Sequence, residues 1–382
     1  MKNDLKVITY YLPQFHSNDV NDKAWGKGFT EWDNVKKGKP LFAGHNQPRA
    51  PFGDNYYNLL DVEAIKWQVS MAKNHGIYGF AIYHYWFNGQ LVLNEPVELI
   101  RDHPEINFPY VLSWANENWT DAWKNPENPT TFLQQTYGGE EEWDAHYEYL
   151  RTFFLDKNYI KNNNKPMLVI YRPEQIPDLN AMLDYWTERS LKDGFDGIDY
   201  AFQQIAFSLI PGSDKSRFMG DVEYEPRYAQ EDLRENRRFK KETLAAWRKL
   251  KKALPVLGQL KQKITNKSDD EFTANDVKIQ SYEELAKVIV NRKPTSDISI
   301  PGFFVGYDNT PRRGYAGTVV QSTPELFEKY FNMQVQNAIQ NYKSNYLFLF
   351  AWNEWAEGGY LEPDSRYGTA YLDAIKRTMD KI

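Results

Sequence analysis

The chain has 382 residues, a net charge of −6 and no cysteine. Disulfides, thiolate metal sites and a cysteine nucleophile are therefore excluded, and no basic field draws the whole molecule to nucleic acid or an anionic membrane. Hydrophobic residues at 41 % suffice for a core, while aromatic residues at 16 %, with 12 Trp and 26 Tyr, fit either a tyrosine-rich core or a surface that meets sugars.

The N-terminal residues Met1–Lys6 lead directly into Val7-Ile8-Thr9-Tyr10-Tyr11-Leu12. That run is too short and too aromatic for a signal-peptide core, and no small-residue cleavage site follows. No stretch approaches the roughly 20 apolar residues of a membrane span. The expected location is the cytoplasm.

Further along, short apolar runs alternate with helical patterns. The predicted strands are 6–11, 79–85, 109–114, 167–171, 200–204, 277–280, 302–307 and 346–352. Most are too continuously apolar to face water, as expected for parallel strands covered by helices. Helices are predicted over 61–74, 140–154, 179–192, 282–291 and 324–342. The alternation predicts an α/β fold, a (β/α)8 TIM barrel, as one domain over 1–382. Residues 213–273 break the rhythm, with Arg237-Arg238, Lys240-Lys241, Lys251-Lys252 and Lys261. They read as a charged, mostly helical insertion whose basic cluster is a solvated face or a contact to an anionic group.

Barrel enzymes build their sites at the C-terminal ends of strands. The first strand end carries Tyr11, Gln14 and His16, and the loop after it Trp32, with Trp25 and Glu31 nearby. His84 and Trp86 follow the second run, then Trp114, Asn116, Glu117 and Trp119, then Arg172 and Gln204. Tyr307, Asp308 and Arg312 come next, although Asp308 and Arg312 also read as a structural ion pair and His84 as a satisfied histidine.

The last run ends in Trp352-Asn353-Glu354-Trp355-Ala356-Glu357-Gly358-Gly359. Glu354 and Glu357 are the catalytic candidates, because an acid pair among aromatic rings suits glycosidic cleavage. Residues i and i+3 face opposite sides of a strand but the same side of a helical turn. Joint action therefore requires the backbone to turn after Glu354, which the two glycines permit. Close carboxylates split their pKa values and leave no room for a water between them, which favours retention of configuration. His-Glu-x-x-His, phosphate-loop, Gly-x-Gly-x-x-Gly, Asp-x-Asp and Gly-x-Ser-x-Gly motifs are absent, so no metal and no cofactor is expected.

At Tyr10–His16, Trp114–Glu117, Tyr307–Arg312 and Trp352–Gly358 the chain resembles the WbsX family, over nearly its whole length. That family is similar in turn to glycoside hydrolase family 99, the endo-α-mannosidases. The likeness to family 99 is strongest in the last strand, where Asn353, Glu354, Trp355 and Glu357 meet its Asn-Glu-Trp-x-Glu motif. The resemblance implies that Glu354 deprotonates the substrate 2-hydroxyl, giving a 1,2-anhydro sugar. It implies that Glu357 protonates the leaving oxygen and then activates water. Ala356 departs from the family's usual His and leaves acceptor specificity open.

Three functions follow from these readings. The first is a retaining glycosidase, or a transglycosylase of the same chemistry, on a mannose- or rhamnose-type oligosaccharide or polysaccharide. The second is a glycosyltransferase of O-antigen, lipopolysaccharide or capsule synthesis. The third is a non-catalytic glycan-binding protein. The sequence sets no oligomeric state.

Overall fold

Eight apolar segments pair side by side in parallel. They are β1 (Lys6–Tyr11), β2 (Gly79–Phe87), β3 (Tyr110–Trp114), β4 (Lys165–Ile170), β5 (Asp199–Gln204), β6 (Phe218–Glu223), β7 (Ser299–Ile300 with Gly302–Phe304) and β8 (Tyr346–Phe350). The computed structural model describes residues 4–122, 127–204, 215–235 and 277–382. β1 lies between β8 and β2, and β3 to β6 follow in order.

Closure of the ring depends on Pro301. The half of β7 before it pairs with β6, Asp221 opposite Ser299, and the half after it pairs with β8, Gly302 opposite Phe348. Proline has no N–H to offer a ladder, so it suits the point where the strand changes partner. Gly302 is needed beside it, because a Cβ there would sit 1.7 Å from the Glu223 carbonyl oxygen.

Helices Val62–Asn74, Glu140–Phe154, Leu179–Lys192, Tyr282–Asn291 and Pro324–Asn341 cover the barrel, within a residue of their predicted bounds. Local chemistry sets their starts. Asp61 accepts from the Glu63 N–H, Ser281 from Glu284 and Thr323 from Leu326, each satisfying a donor that the first turn leaves open. The inward faces join the strands in one buried core, which includes Ile65, Leu150, Trp186, Leu285 and Phe331.

Two expectations need correction. The predicted strand 277–280 is not a barrel strand: Lys278–Ile279 pairs with Thr318–Val320 in a small separate sheet. The sixth barrel strand is instead β6, inside the stretch read as a helical insertion. Asp221 and Glu223 interrupt its apolar pattern, yet both are buried, Asp221 accepting from Ser296 and Glu223 from Tyr342 and Arg292. Residues 227–235 after it are helical, and 236–273 of the expected insertion lie outside the described residues.

Candidate active site

The acidic motif turns as its spacing requires. β8 ends at Phe350, and Asn353–Glu354 pairs antiparallel with Gly359–Tyr360. Trp355–Glu357 forms a single 3-10 turn between them, and Gly358 reverses the chain at φ 63°. The positive φ favours glycine at this position, and a Cβ there would also displace the Arg49 guanidinium, 2.7 Å away. The Asn353 side chain accepts from the Leu12 N–H at 2.7 Å and donates to the Leu12 carbonyl at 2.9 Å, fastening the turn to the end of β1. Trp355 stacks on Tyr360 and donates to Glu362 at 2.6 Å, which holds the turn from behind. Glu354 and Glu357 are thereby presented to one cavity.

That cavity, of about 560 Å³, lies at the C-terminal mouth of the barrel. The size is within the ~300–1,000 Å³ typical of ligand clefts. Tyr83 and Tyr85 from β2, Tyr171 after β4, Tyr224 after β6 and Tyr307 after β7 supply its aromatic walls. Trp119 adds a further ring, and Gln14, Glu117, Asn118, Arg172, Arg227 and Arg312 supply the polar walls.

Charge is concentrated around Arg312. Its Nε and Nη2 donate to Glu31 Oε1 at 3.0 and 2.6 Å, and its Nη1 donates to Glu357 Oε1 at 2.7 Å. Burial lowers the Arg312 proton affinity, but Glu31, Glu357 and Glu354 together outweigh it and raise the net value. Glu31 is fully buried, and that burial raises its carboxyl against the opposing pull of Arg312. Glu354 is raised well above the usual carboxylate range, first by burial, then by the Glu357 charge, with Arg312 opposing. Its Oε2 has no hydrogen-bond partner among the described residues. A buried, unpartnered carboxyl oxygen beside a second carboxylate is an incomplete arrangement that a bound hydroxyl would complete.

Of the residues singled out in the sequence, Gln14, Glu117, Trp119, Arg172, Tyr307, Arg312, Glu354 and Glu357 line this cavity together. Other predicted site residues do not line this cavity. Tyr11 faces outward from β1 and donates to Gln68 at 2.7 Å. His16 is buried against Glu95, and Trp32 donates to the Tyr57 carbonyl at 2.8 Å while packing on Trp355. His84 and His146 share a 2.9 Å Nε2–Nε2 hydrogen bond behind the wall, with Trp86 stacked on His146. Burial pushes His84 down to about 3, so this pair is neutral and structural. Trp114 packs on His146 and Trp186, and Trp352 on Phe80. Asn116 staples the Arg172 backbone, accepting at 2.7 Å and donating at 2.8 Å, as Asn353 does for Leu12. Gln204 is half-buried at the end of β5. Asp308 is fully buried among His45, Gln47 and Thr310, and its nearest arginine is Arg49 at 3.5 Å, so the expected Asp308–Arg312 pair does not form.

The misses have one dominant cause. Alternate residues of a strand face opposite sides, and on β2 the inward parity belongs to Tyr83 and Tyr85 rather than His84 and Trp86. Tyr10, not Tyr11, is the inward residue of β1, stacked on Tyr83 at 5.7 Å. Counting parity from the barrel-facing residues would have found them. Tyr224 was hidden because its strand was.

The site is therefore a carboxylate pair at the C-terminal mouth of a parallel α/β barrel. The chain matches the model of the family described as glycosyltransferase WbsX over residues 7–375, and it belongs to that family. It is 29 % identical over 379 residues to the uncharacterized protein WxcX of Xanthomonas campestris pv. campestris, from strain ATCC 33913 and from strain B100 alike. The alignment covers 98 % of this chain and 50 % of those proteins, so the chain spans about half the length of these curated relatives. Among solved structures, the GH99 endo-alpha-mannosidase from Bacteroides thetaiotaomicron aligns over 100 % of this chain and 98 % of its own, with TM-score 0.55 and 14 % identity. A structure titled glycoside hydrolase-like protein aligns over 99 % of this chain and 94 % of its own, with TM-score 0.57 and 12 % identity. At those identities the likeness concerns the fold. Among the described residues, no helix is long and apolar enough to cross a membrane, and no three His, Asp or Glu side chains group to hold a metal ion.

Proposed function

We propose that this protein is a retaining glycoside hydrolase, cleaving a mannose- or rhamnose-type linkage with participation of the substrate 2-hydroxyl. The observation that carries this reading is the pair Glu354 and Glu357, placed by one turn in the same tyrosine-walled cavity but in unlike environments. Glu354 is deep, unpartnered at one oxygen and raised by burial; Glu357 is more open and held by Arg312. A buried, raised carboxyl beside a more open, arginine-held one suits a division into acid and base roles.

Glu354 takes the proton of the 2-hydroxyl as the 2-oxygen displaces the leaving group from the anomeric carbon. Glu357 gives a proton to the departing oxygen. The resulting 1,2-anhydro sugar is opened by a water that Glu357 deprotonates, while the 2-oxygen recovers its proton from Glu354. Two inversions give net retention. In the unliganded cavity, burial and the Glu357 charge favour the protonated form of Glu354. The first step requires Glu354 as the carboxylate and Glu357 as the acid, a change that must accompany sugar binding. Arg312 accommodates the change because Glu31 still engages it when Glu357 becomes neutral.

The family description favours a second reading, a glycosyltransferase, which we would place in surface-polysaccharide synthesis. Sugar release from a panel of mannans and bacterial O-antigens, with wild type, Glu354→Gln and Glu357→Gln, separates the two. Release by wild type and its loss in both variants support hydrolysis. No release, with a nucleotide sugar but no oligosaccharide raising the melting temperature, supports transfer.

A further inference from the structure

Beside the catalytic cavity lies a second chamber of about 310 Å³. Gln14, Glu117, Asn118, Trp119 and Arg312 line both, so the two are adjoining parts of one cleft. Its outer wall is aromatic. Trp25 and Trp119 each meet Phe132 edge to face, with centroids 5.4 and 6.2 Å apart, and all three rings are half-buried. Rings held in this way offer apolar surface to a flat, half-apolar partner.

Asn21 forms another part of the wall. It is fully buried, yet neither its amide nitrogen nor its amide oxygen has a partner among the described residues. Buried amides are normally paired, so this one awaits a group with both donor and acceptor capacity. Its position is fixed, because the Asn18 side chain caps the helix Asp19–Trp25 by accepting from the Val20 and Asn21 N–H groups at 3.1 and 3.0 Å. The local charge selects against anions. Glu31 and Glu117 both border the chamber, and the nearby arginines are already engaged, Arg312 by Glu31 and Glu357 and Arg172 by Glu117.

We propose that this chamber is a second sugar subsite, taking a neutral hydroxylated ring against Trp25, Phe132 and Trp119 with a hydroxyl directed at Asn21. The substrate then fills at least two adjoining rings of a glycan. This rests on the glycan reading of the catalytic cavity.

The test uses the full chain carrying Glu354→Gln, to prevent turnover, titrated with methyl α-mannoside and with α-linked mannose oligosaccharides of increasing length. Affinity is expected to rise about tenfold when a second ring is added. Trp25→Ala and, separately, Asn21→Ala should reduce that step to about twofold or less, with the folded state checked by the melting curve. Trp25 is half-buried at a helix end, so its variant remains informative if Asn21→Ala unfolds. A length step that both folded variants retain overturns the subsite. Sugar release by the wild type without any length step overturns the subsite and leaves the hydrolase standing. A length step that depends on Trp25, with no sugar release by the wild type, upholds the subsite and removes the hydrolase. Absence of both binding and release overturns both.

Discussion

Arg292 and Arg312 are each shared among buried or half-buried carboxylates, and they differ in one respect. Arg292 meets Glu223 at 3.0 Å, Glu225 at 2.5 Å and Asp232 at 2.7 Å, and its guanidinium lies over the Tyr228 ring. The remaining oxygens of its glutamates are taken up: Tyr342 donates to Glu223, and the Ala229 N–H donates to Glu225. Arg312 serves Glu31 and Glu357 but leaves a Glu354 oxygen unpartnered beside a cavity. Both clusters are acidic and lie near strand ends. Incomplete hydrogen bonding at a cavity wall, rather than charge alone, marks the Arg312 cluster as the one prepared for a ligand.

The largest expected effect falls on the Arg312 side. Glu354→Gln and Glu357→Gln should each lower kcat/KM by about 10³-fold or more, measured as sugar release, with little change in melting temperature. Arg292→Met should do the reverse, costing about 3–5 kcal/mol in chemical denaturation because it leaves buried carboxylates uncompensated. An Arg292 variant of unchanged stability that has lost turnover would erase the distinction between the clusters.

Glu31→Gln sharpens it from within. Removing that charge leaves Arg312 acting undivided on Glu357 and Glu354, and Glu31 is itself one of the groups that raise Glu354. The basic limb of the kcat/KM profile should move to lower pH, with a loss of roughly tenfold in rate. A lower rate with an unmoved pH profile would reduce Glu31 to packing. Glu117 is ion-paired with Arg172, and Glu117→Gln should reduce turnover less than either motif glutamate. An equal loss would promote it to the catalytic set.

The smallest effect is a pH dependence of stability. Burial raises Glu362 and Glu223 from 4.5 to about 7. A raised folded-state pKa gives stability that is complete below the unfolded value and lost as pH rises through the folded one. The melting temperature should therefore fall as pH rises from about 4.5 through about 7, each group contributing on the order of 3 kcal/mol at most. Glu362→Gln should flatten that slope; an unchanged slope would show that Glu362 is ionised in the fold.

Much of this was legible in the chain. Continuous apolar runs gave seven of the eight barrel strands, because parallel strands buried on both faces need no polar alternation. β6 was not legible, because its Asp221 and Glu223 are buried by partners far along the chain, Ser296, Arg292 and Tyr342. The turn that brings Glu354 and Glu357 to one cavity was legible from their spacing and the flanking glycines. The walls were not, because the residues at strand ends could be listed but their facing depended on a register that only the closed barrel sets. The same limit hid the asparagines. Asn116 and Asn353 look like sugar ligands in the sequence, yet each bonds both backbone groups of a neighbouring strand end. Asn21 has no motif to announce it, and only its lack of partners in the fold draws notice.

The central claim is that Glu354 and Glu357 together cleave a glycosidic bond with retention. The most direct measurement is NMR of the first-formed anomer as the full chain acts on α-mannans and O-antigen polysaccharides. The account predicts that an α-linked substrate gives the α anomer first, and that the signal disappears in both Glu354→Gln and Glu357→Gln. A β anomer formed first, or release that survives in either variant, would contradict it.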